Sequence, residues 1–274
     1  MIALASPSKR EARDVLDEPV SASRLTLFHS CRLKFFFRYV QRLVKPVSPA
    51  LFVGQAVHHA LQAWSNRRWK SQPCSDNDLW EAFDAQWTTA QGEMDEPIAW
   101  DDEEEQTQRG KAWTLVEHYL ATTPIPTDEK PLAVEVGVEA DLSDMGLPTL
   151  CGVIDLVRPG GVIVDFKTTA TTPDGAMALH RHDLQLAASS LLYREATGEN
   201  ETGIELHHLV KTKVPKLVVT RADPINQDQA ARFLRSMVSY VEGVKREDWV
   251  PSPGIQCQAC EYVGDCMKWS GGVE

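Results

Sequence analysis

Residues 151–167 read Cys-Gly-Val-Ile-Asp-Leu-Val-Arg-Pro-Gly-Gly-Val-Ile-Val-Asp-Phe-Lys. Two β-branched runs flank the turn chemistry of Arg158-Pro-Gly-Gly161, which predicts a hairpin with the loop Pro159–Gly161. In that register Asp155 faces Asp165, with Cβ atoms roughly 5 Å apart. Lys167, two residues further on, shares the face of Asp165. Opposed carboxylates repel each other, and a divalent cation removes the repulsion. Mg²⁺ favours carboxylate and water oxygens, and it both orients a water and neutralises a phosphodiester. Lys167 can then polarise that water or stabilise a developing oxyanion. An isolated Asp-x-Lys is usually only the wet face of a hairpin. Here both acids interrupt strongly apolar strands that look covered on both sides, and a buried carboxylate needs a partner.

Four cysteines frame this hairpin in the chain: Cys31 near the start, and Cys257-x2-Cys260-x5-Cys266 near the end. The last three follow Pro251, Pro253 and Gly254, a loop shaped for metal rather than for a regular element. Thiolates so placed meet only if the fold joins its two ends. Cys₄ serves zinc as well as an iron–sulfur cluster, and the three-plus-one spacing fits a [4Fe–4S] cluster better than paired zinc knuckles. Cys74 and Cys151 read as free thiols, the second a small core residue. Gly54-x3-His58 places glycine and histidine on one helix face, so the helix can approach closely while His58 projects into a site, although the adjacent His59 competes for that role. Glu135 reads equally well as a solvent-facing residue or as an added carboxylate, whereas Gln185 taken alone reads as a surface residue.

The elements that must position these groups follow from periodicity. Ser23 is a plausible N-cap for a helix to about Leu43, and apolar spacing gives a second helix over about Leu51–Trp69. Two further helices, about Asn77–Gln91 and Glu103–Ala121, form a helical insertion (about 71–125). Strands are expected near 132–140, 149–157, 161–168, 204–211 and 217–220. Helices over 177–197, closed by Gly198, and over 227–246 complete the pattern. The expected fold is α/β: a central mixed sheet flanked by helices, with a metal-bound C-terminal loop. Residues 23–269 are read as a single domain, with a cap built from residue 31 and residues 251–269. Residues 1–22 and 270–274 are read as tails.

Net charge is −11, which argues against a nucleic-acid partner until its distribution is examined. Residues 71–108 hold twelve acids and no Lys or Arg, leaving the remainder at +1. Residues 21–46 hold Arg24, Arg32, Lys34, Arg38, Arg42 and Lys45 without an acid, interleaved with aromatics. The acidic stretch reads as a solvated helical face, or as a surface that keeps nucleic acid to one side. No apolar run is long enough for a bilayer, and the charged N-terminus lacks a signal-peptide core. A cytoplasmic protein without membrane contact is expected, its thiols reduced.

Taken in order, these motifs resemble the RecB-type branch of the PD-(D/E)xK nuclease superfamily, and within it the iron–sulfur members such as the CRISPR-associated and AddB-type exonucleases. The residues that carry the resemblance are Ser23-Arg24-Leu25-x2-Phe28-x2-Cys31-x3-Phe35-x3-Tyr39, Gly54-x3-His58, Gly152-x2-Asp155, Asp165-x-Lys167, Gln185, and the terminal Cys257, Cys260 and Cys266. The resemblance implies a restriction-endonuclease-like core, with Mn²⁺ or Mg²⁺ on His58, Asp155 and Asp165 and a catalytic Lys167. It also implies that Gln185 positions the site or DNA, and that a [4Fe–4S] cluster sits on Cys31, Cys257, Cys260 and Cys266. The activity implied is a DNA exonuclease acting on single-stranded ends in recombination, repair or CRISPR-type processing, with a helicase, recombinase or integrase as partner. Two departures stand out. Arg32 replaces the family's proline after the first cysteine. Ser189 stands where a tyrosine follows the glutamine, with Tyr193 one turn later. Alternative readings are a non-catalytic DNA-binding or adaptation subunit, a zinc-stapled nuclease, and a redox-sensing regulator.

Overall fold

A computed structural model describes residues 12–94, 98 and 100–271. Strands β1 (Val20–Ser21), β2 (Ala133–Ala140), β3 (Leu150–Arg158), β4 (Val162–Thr169), β5 (Gly203–Val210) and β6 (Lys216–Ala222) form one mixed sheet. β2/β3, β3/β4 and β5/β6 are antiparallel, and β4/β5 is parallel, as the helical crossover between those two strands requires. The β3–β4 hairpin closes over Pro159–Gly161, where Gly160 and Gly161 both take φ of +83°.

The sheet is open in one place. β3 gives one edge to β2 across residues 150–157. Its other edge is shared: β4 pairs with residues 156–158, and β1 pairs in parallel with residues 150–151. Residues 152–155 therefore lack a ladder partner on that side among the described residues. β3 and β4 splay apart from Asp155 and Asp165 onward.

Helices cover both faces. On one side α7 (Asp183–Thr197), with α1 (Ala22–Ser30) and α8 (Gln227–Lys245) behind it, packs on β2 and β3. This core includes Leu150, Ile163, Leu186, Leu192, Leu206 and Tyr240. On the other side α3 (Pro49–Trp69), α4 (Asp76–Gly92) and α5 (Asp102–Thr122) build a second core with Val164, Phe166 and Leu209. The acidic stretch supplies the ends of these helices. Ser75 and Asp78 form a capping box for α4, Asp101 caps α5, and Asp102–Glu105 fill the first turn of α5, where negative charge complements the helix dipole.

Several sequence expectations are corrected. Residues 12–22, expected as part of a loose tail, are folded: Ala12–Asp17 forms a 3₁₀ turn, Val20 pairs with Leu150, and Val15 and Val20 are fully buried. Residues 1–11 and 272–274 lie outside the described residues. The first helix is capped by Ser21 rather than Ser23 and breaks at Cys31, whose backbone is extended. It resumes as α2 (Arg32–Phe35) and ends in a π-turn over Phe36–Val40. The helix expected over 177–197 divides at His182 into α6 (Gly175–Arg181) and α7, which ends at left-handed Gly198. The basic stripe is largely structural. Arg24, Arg32, Lys34, Arg42 and Lys45 pair with Glu18, Asp248, Glu261, Glu18 and Asp265, and Phe28, Phe35 and Phe37 are buried.

A buried polar network ties the sheet to α5. Glu205 on β5, 5% exposed, collects Arg158 at 3.0 Å, Arg221 at 2.9 Å and His207 at 3.1 Å. Tyr119 reaches His207 Nδ1 at 2.9 Å, and Arg158 donates two bonds of 2.8 Å to Glu129. The hydrogen bond to His207, and then the arginines, hold the Glu205 carboxyl down at about 2. Replacing Glu205 by Ala leaves the fully buried His207 Nε2 without its carboxylate and Arg158 with Glu129 alone, and is expected to cost about 3 kcal/mol. That corresponds to a fall of about 6–12 °C in the calorimetric melting midpoint. The wild-type advantage is full above the ordinary glutamate value and fades as pH falls toward about 2, because the unfolded chain takes up the proton first.

Candidate active site

The gap between β3 and β4 is where the polar side chains converge. α3 approaches β4 closely because Gly54 carries no side chain: a Cβ there would lie 3.0 Å from Thr168 Oγ1. One turn on, His58 Nδ1 stands 3.6 Å from Asp155 Oδ2, too long for a hydrogen bond. Its ring meets Phe166 edge-on. His59 lies instead against Gln86 of α4, at 3.5 Å.

Asp155 Oδ2 accepts the Phe166 backbone N–H at 2.9 Å, so a carboxylate replaces the ladder where the two strands part. Across the gap, Asp165 Oδ1 accepts from Gln185 Nε2 at 2.5 Å and from Lys167 Nζ at 3.0 Å. The buried Oδ2 of Asp165 has no well-angled hydrogen bond. The Lys167 ammonium, 2.7 Å away, meets it as charge alone. Gln185 arrives on α7, from the face opposite α3.

Burial and the neighbouring Asp165 raise the Asp155 carboxyl above its usual value, with His58 partly offsetting the shift. Glu135 on β2 is bracketed by the pairs Val134–Leu156 and Val136–Ile154, which set it against Asp155. Its φ of +50° lies in the left-handed region, a strain of about 1–3 kcal/mol for a non-glycine residue. Burial and Asp155 push its carboxyl up to about 7, although the residue as a whole stays open to solvent. Three acids on adjacent strands thus share too little positive charge.

The structure also brings in groups that sequence reasoning missed. His208 on β5 is the register partner of Lys167 and is 3% exposed, with Nδ1 unpartnered among the described residues. His182, at the α6–α7 junction, lies 6.0 Å from it between ring centroids. The alternation of β5 could have flagged His208, but nothing local marks His182. Tyr193, the displaced tyrosine, is buried against the β3–β4 turn, where a Cβ on Gly161 would come 2.7 Å from its hydroxyl. It faces the core, not the gap.

The chain ends do meet. Cys266 feels Cys31, Cys260 and Cys257, which together with burial raise its thiol. Cys31, Cys260 and Cys266 are half-buried and Cys257 is exposed. Lys34–Glu261, Lys45–Asp265, the Tyr262 hydroxyl on the Leu43 carbonyl and the Leu33 N–H on the Val250 carbonyl fasten this cap to the front of the chain. Cys74 and Cys151 stand apart, half-buried with raised thiols. As the side chains stand, no three His, Cys, Asp or Glu among the described residues enclose an ion.

The sequence profile of the PD-(D/E)XK nuclease superfamily matches residues 19–267. The crystal structure of a "Putative exonuclease" from Eubacterium rectale superimposes over 100% of both chains with a TM-score of 0.59 at 14% identity, a likeness of fold. A further solved structure, SSO0001, covers 92% of this chain and 96% of its own at 10% identity, with a TM-score of 0.37, and carries no argument. No curated protein matches the chain. The profile spans the splayed hairpin, its helices and the terminal cysteines alike, and the chain belongs to the PD-(D/E)XK nuclease superfamily.

Proposed function

We propose that the chain is a divalent-metal-dependent deoxyribonuclease that degrades DNA from single-stranded ends as an exonuclease. The observation that carries the reading is the convergence of His58, Asp155, Asp165, Lys167 and Gln185, from both faces of the sheet, on one gap between strands. The donor set of carboxylate oxygens and one imidazole suits Mg²⁺ or Mn²⁺. The crowded acids fit such an ion as well: the Asp155 and Glu135 carboxyls are raised and Asp165 Oδ2 lacks a hydrogen bond. His58, Asp155 and Asp165 would hold the ion, which when bound supplies a Lewis acid and a more acidic water.

The chain's own residues do the rest. The Phe166 N–H and Gln185 fix the two carboxylates. Lys167 holds positive charge at the gap, where charge develops on a phosphoryl oxygen. Binding here needs no net positive protein, since seven of the twelve acids of residues 71–108 (Asp76, Asp78 and Asp101–Glu105) are spent on the caps and first turns of α4 and α5.

Cys31, Cys257, Cys260 and Cys266 are assigned to a [4Fe–4S] cluster. What supports this is the crowding of four thiols with a raised Cys266, a donor set that welcomes a soft metal centre. Its role is structural, joining α1 to the C-terminal loop. DNA recombination, repair or CRISPR-type processing in the cytoplasm, beside a helicase, recombinase or integrase, is the setting this reading implies.

End-labelled oligonucleotides incubated with Mn²⁺ test the catalytic assignment. Lys167→Ala is expected to lower kcat by about 100-fold or more at a temperature where the variant is still folded, and equal activity would defeat it. Metal binding has its own signature. Ionising acids whose folded values are raised removes stability as pH climbs, and a cation restores it. Mn²⁺ should therefore raise the melting temperature more at about pH 8 than at about pH 5.5, and Asp155→Asn should abolish the difference. Protein purified without air should carry iron and acid-labile sulfide, both lost in Cys31→Ser. Zinc without iron would replace the cluster with a zinc staple.

A further inference from the structure

Lys167 borders two cavities. The first holds His58, Gly54 and Glu135, the side assigned to the metal. The second, of about 510 Å³, lies between α1 and the α6–α7 junction, and its lining includes Ser23, Arg38, Tyr39, Arg181, His182 and Gln185 besides Lys167. No carboxylate lines it.

The basic stripe explains why this second cavity is distinctive. Five of its six cations are committed to carboxylates. Arg38 makes no ion pair among the described residues, is exposed, and opens into this cavity. Arg181, at the end of α6, is likewise exposed without an ion pair among the described residues. Two guanidinium groups without an ion pair among the described residues, one of them over the Tyr39 ring, and the Lys167 ammonium thus line a space with several hydroxyls beside the reactive gap. Arginine's planar fork suits phosphate oxygens. A cavity of this size takes one nucleotide, not a duplex.

We infer that Arg38 and Arg181 clamp the phosphate of the unpaired nucleotide next to the bond being cut, so that this cavity is a single-strand subsite on the side of Lys167 away from the metal. The inference deepens the nuclease reading and rests on it, but its test needs no hydrolysis. Binding of fluorescein-labelled oligothymidylate to the full chain is measured by anisotropy in chelator across a salt series. For Arg38→Ala/Arg181→Ala, affinity at low salt is expected to fall at least about tenfold. The slope of log K against log salt should shrink by about 0.7, the contribution of one single-strand phosphate. Arg38→Lys/Arg181→Lys should keep most of the slope, which separates lost charge from a damaged fold. A blunt duplex should lose less than about threefold.

Unchanged affinity and slope, or an equal loss on both probes, would overturn the assignment. Arginine-dependent binding by a wild-type chain that never cuts DNA would sink the catalytic reading and leave the clamp standing.

Discussion

Two carboxylates that the sheet sets against each other are the constraint on which the rest of this structure depends. At the point where Asp155 and Asp165 would be cross-strand neighbours, the β3–β4 ladder stops, and Asp155 takes the Phe166 N–H in its place. Burial forbids both acids from carrying unrelieved charge. Every feature around them answers that conflict. β1 occupies the far end of the β3 edge, α3 brings an imidazole through the Gly54 approach, and α7 brings an amide. Among the described residues, Lys167 brings the one ammonium in contact with Asp165.

The left-handed backbone of Glu135 belongs to the same pattern. Strain of this kind persists only when the surroundings over-determine it, and here the β2–β3 pairs on either side fix the residue in place. The buried Glu205 network, by contrast, sits on the same sheet with every charge answered. One polar cluster is satisfied and structural. The other is left short of positive charge, which is the difference between a support and a site.

Much of this was legible in the sequence because it is local. Pro159-Gly-Gly161 set the hairpin register, and that register opposed the two aspartates and turned Lys167 to their side. Gly54 and His58, one helical turn apart, likewise announced a close-packed helix with a projecting ring. What could not be read depends on partners far along the chain. The basic stretch over 21–46 reads as unpaired charge because Asp248, Glu261 and Asp265 reach it only through the fold, and because Glu18, six residues before Arg24, falls in the expected tail. The break at Cys31 and the division at His182 carry no proline or glycine to mark them. The tail was misread for the same reason: Val20 finds its strand partner at Leu150.

The cap that joins the two ends of the chain has a temporal meaning. During synthesis, residues 33–45 emerge long before the loop over 250–266 that holds them in place. α2 and the turn after it, which carries Arg38 at the second cavity, must wait for that loop, since non-local contacts form only after the intervening chain exists. A nascent chain therefore already owns its aspartates and lysine while lacking a finished mouth around them. Premature termination near the C-terminus leaves the reactive residues intact and the molecule unclosed.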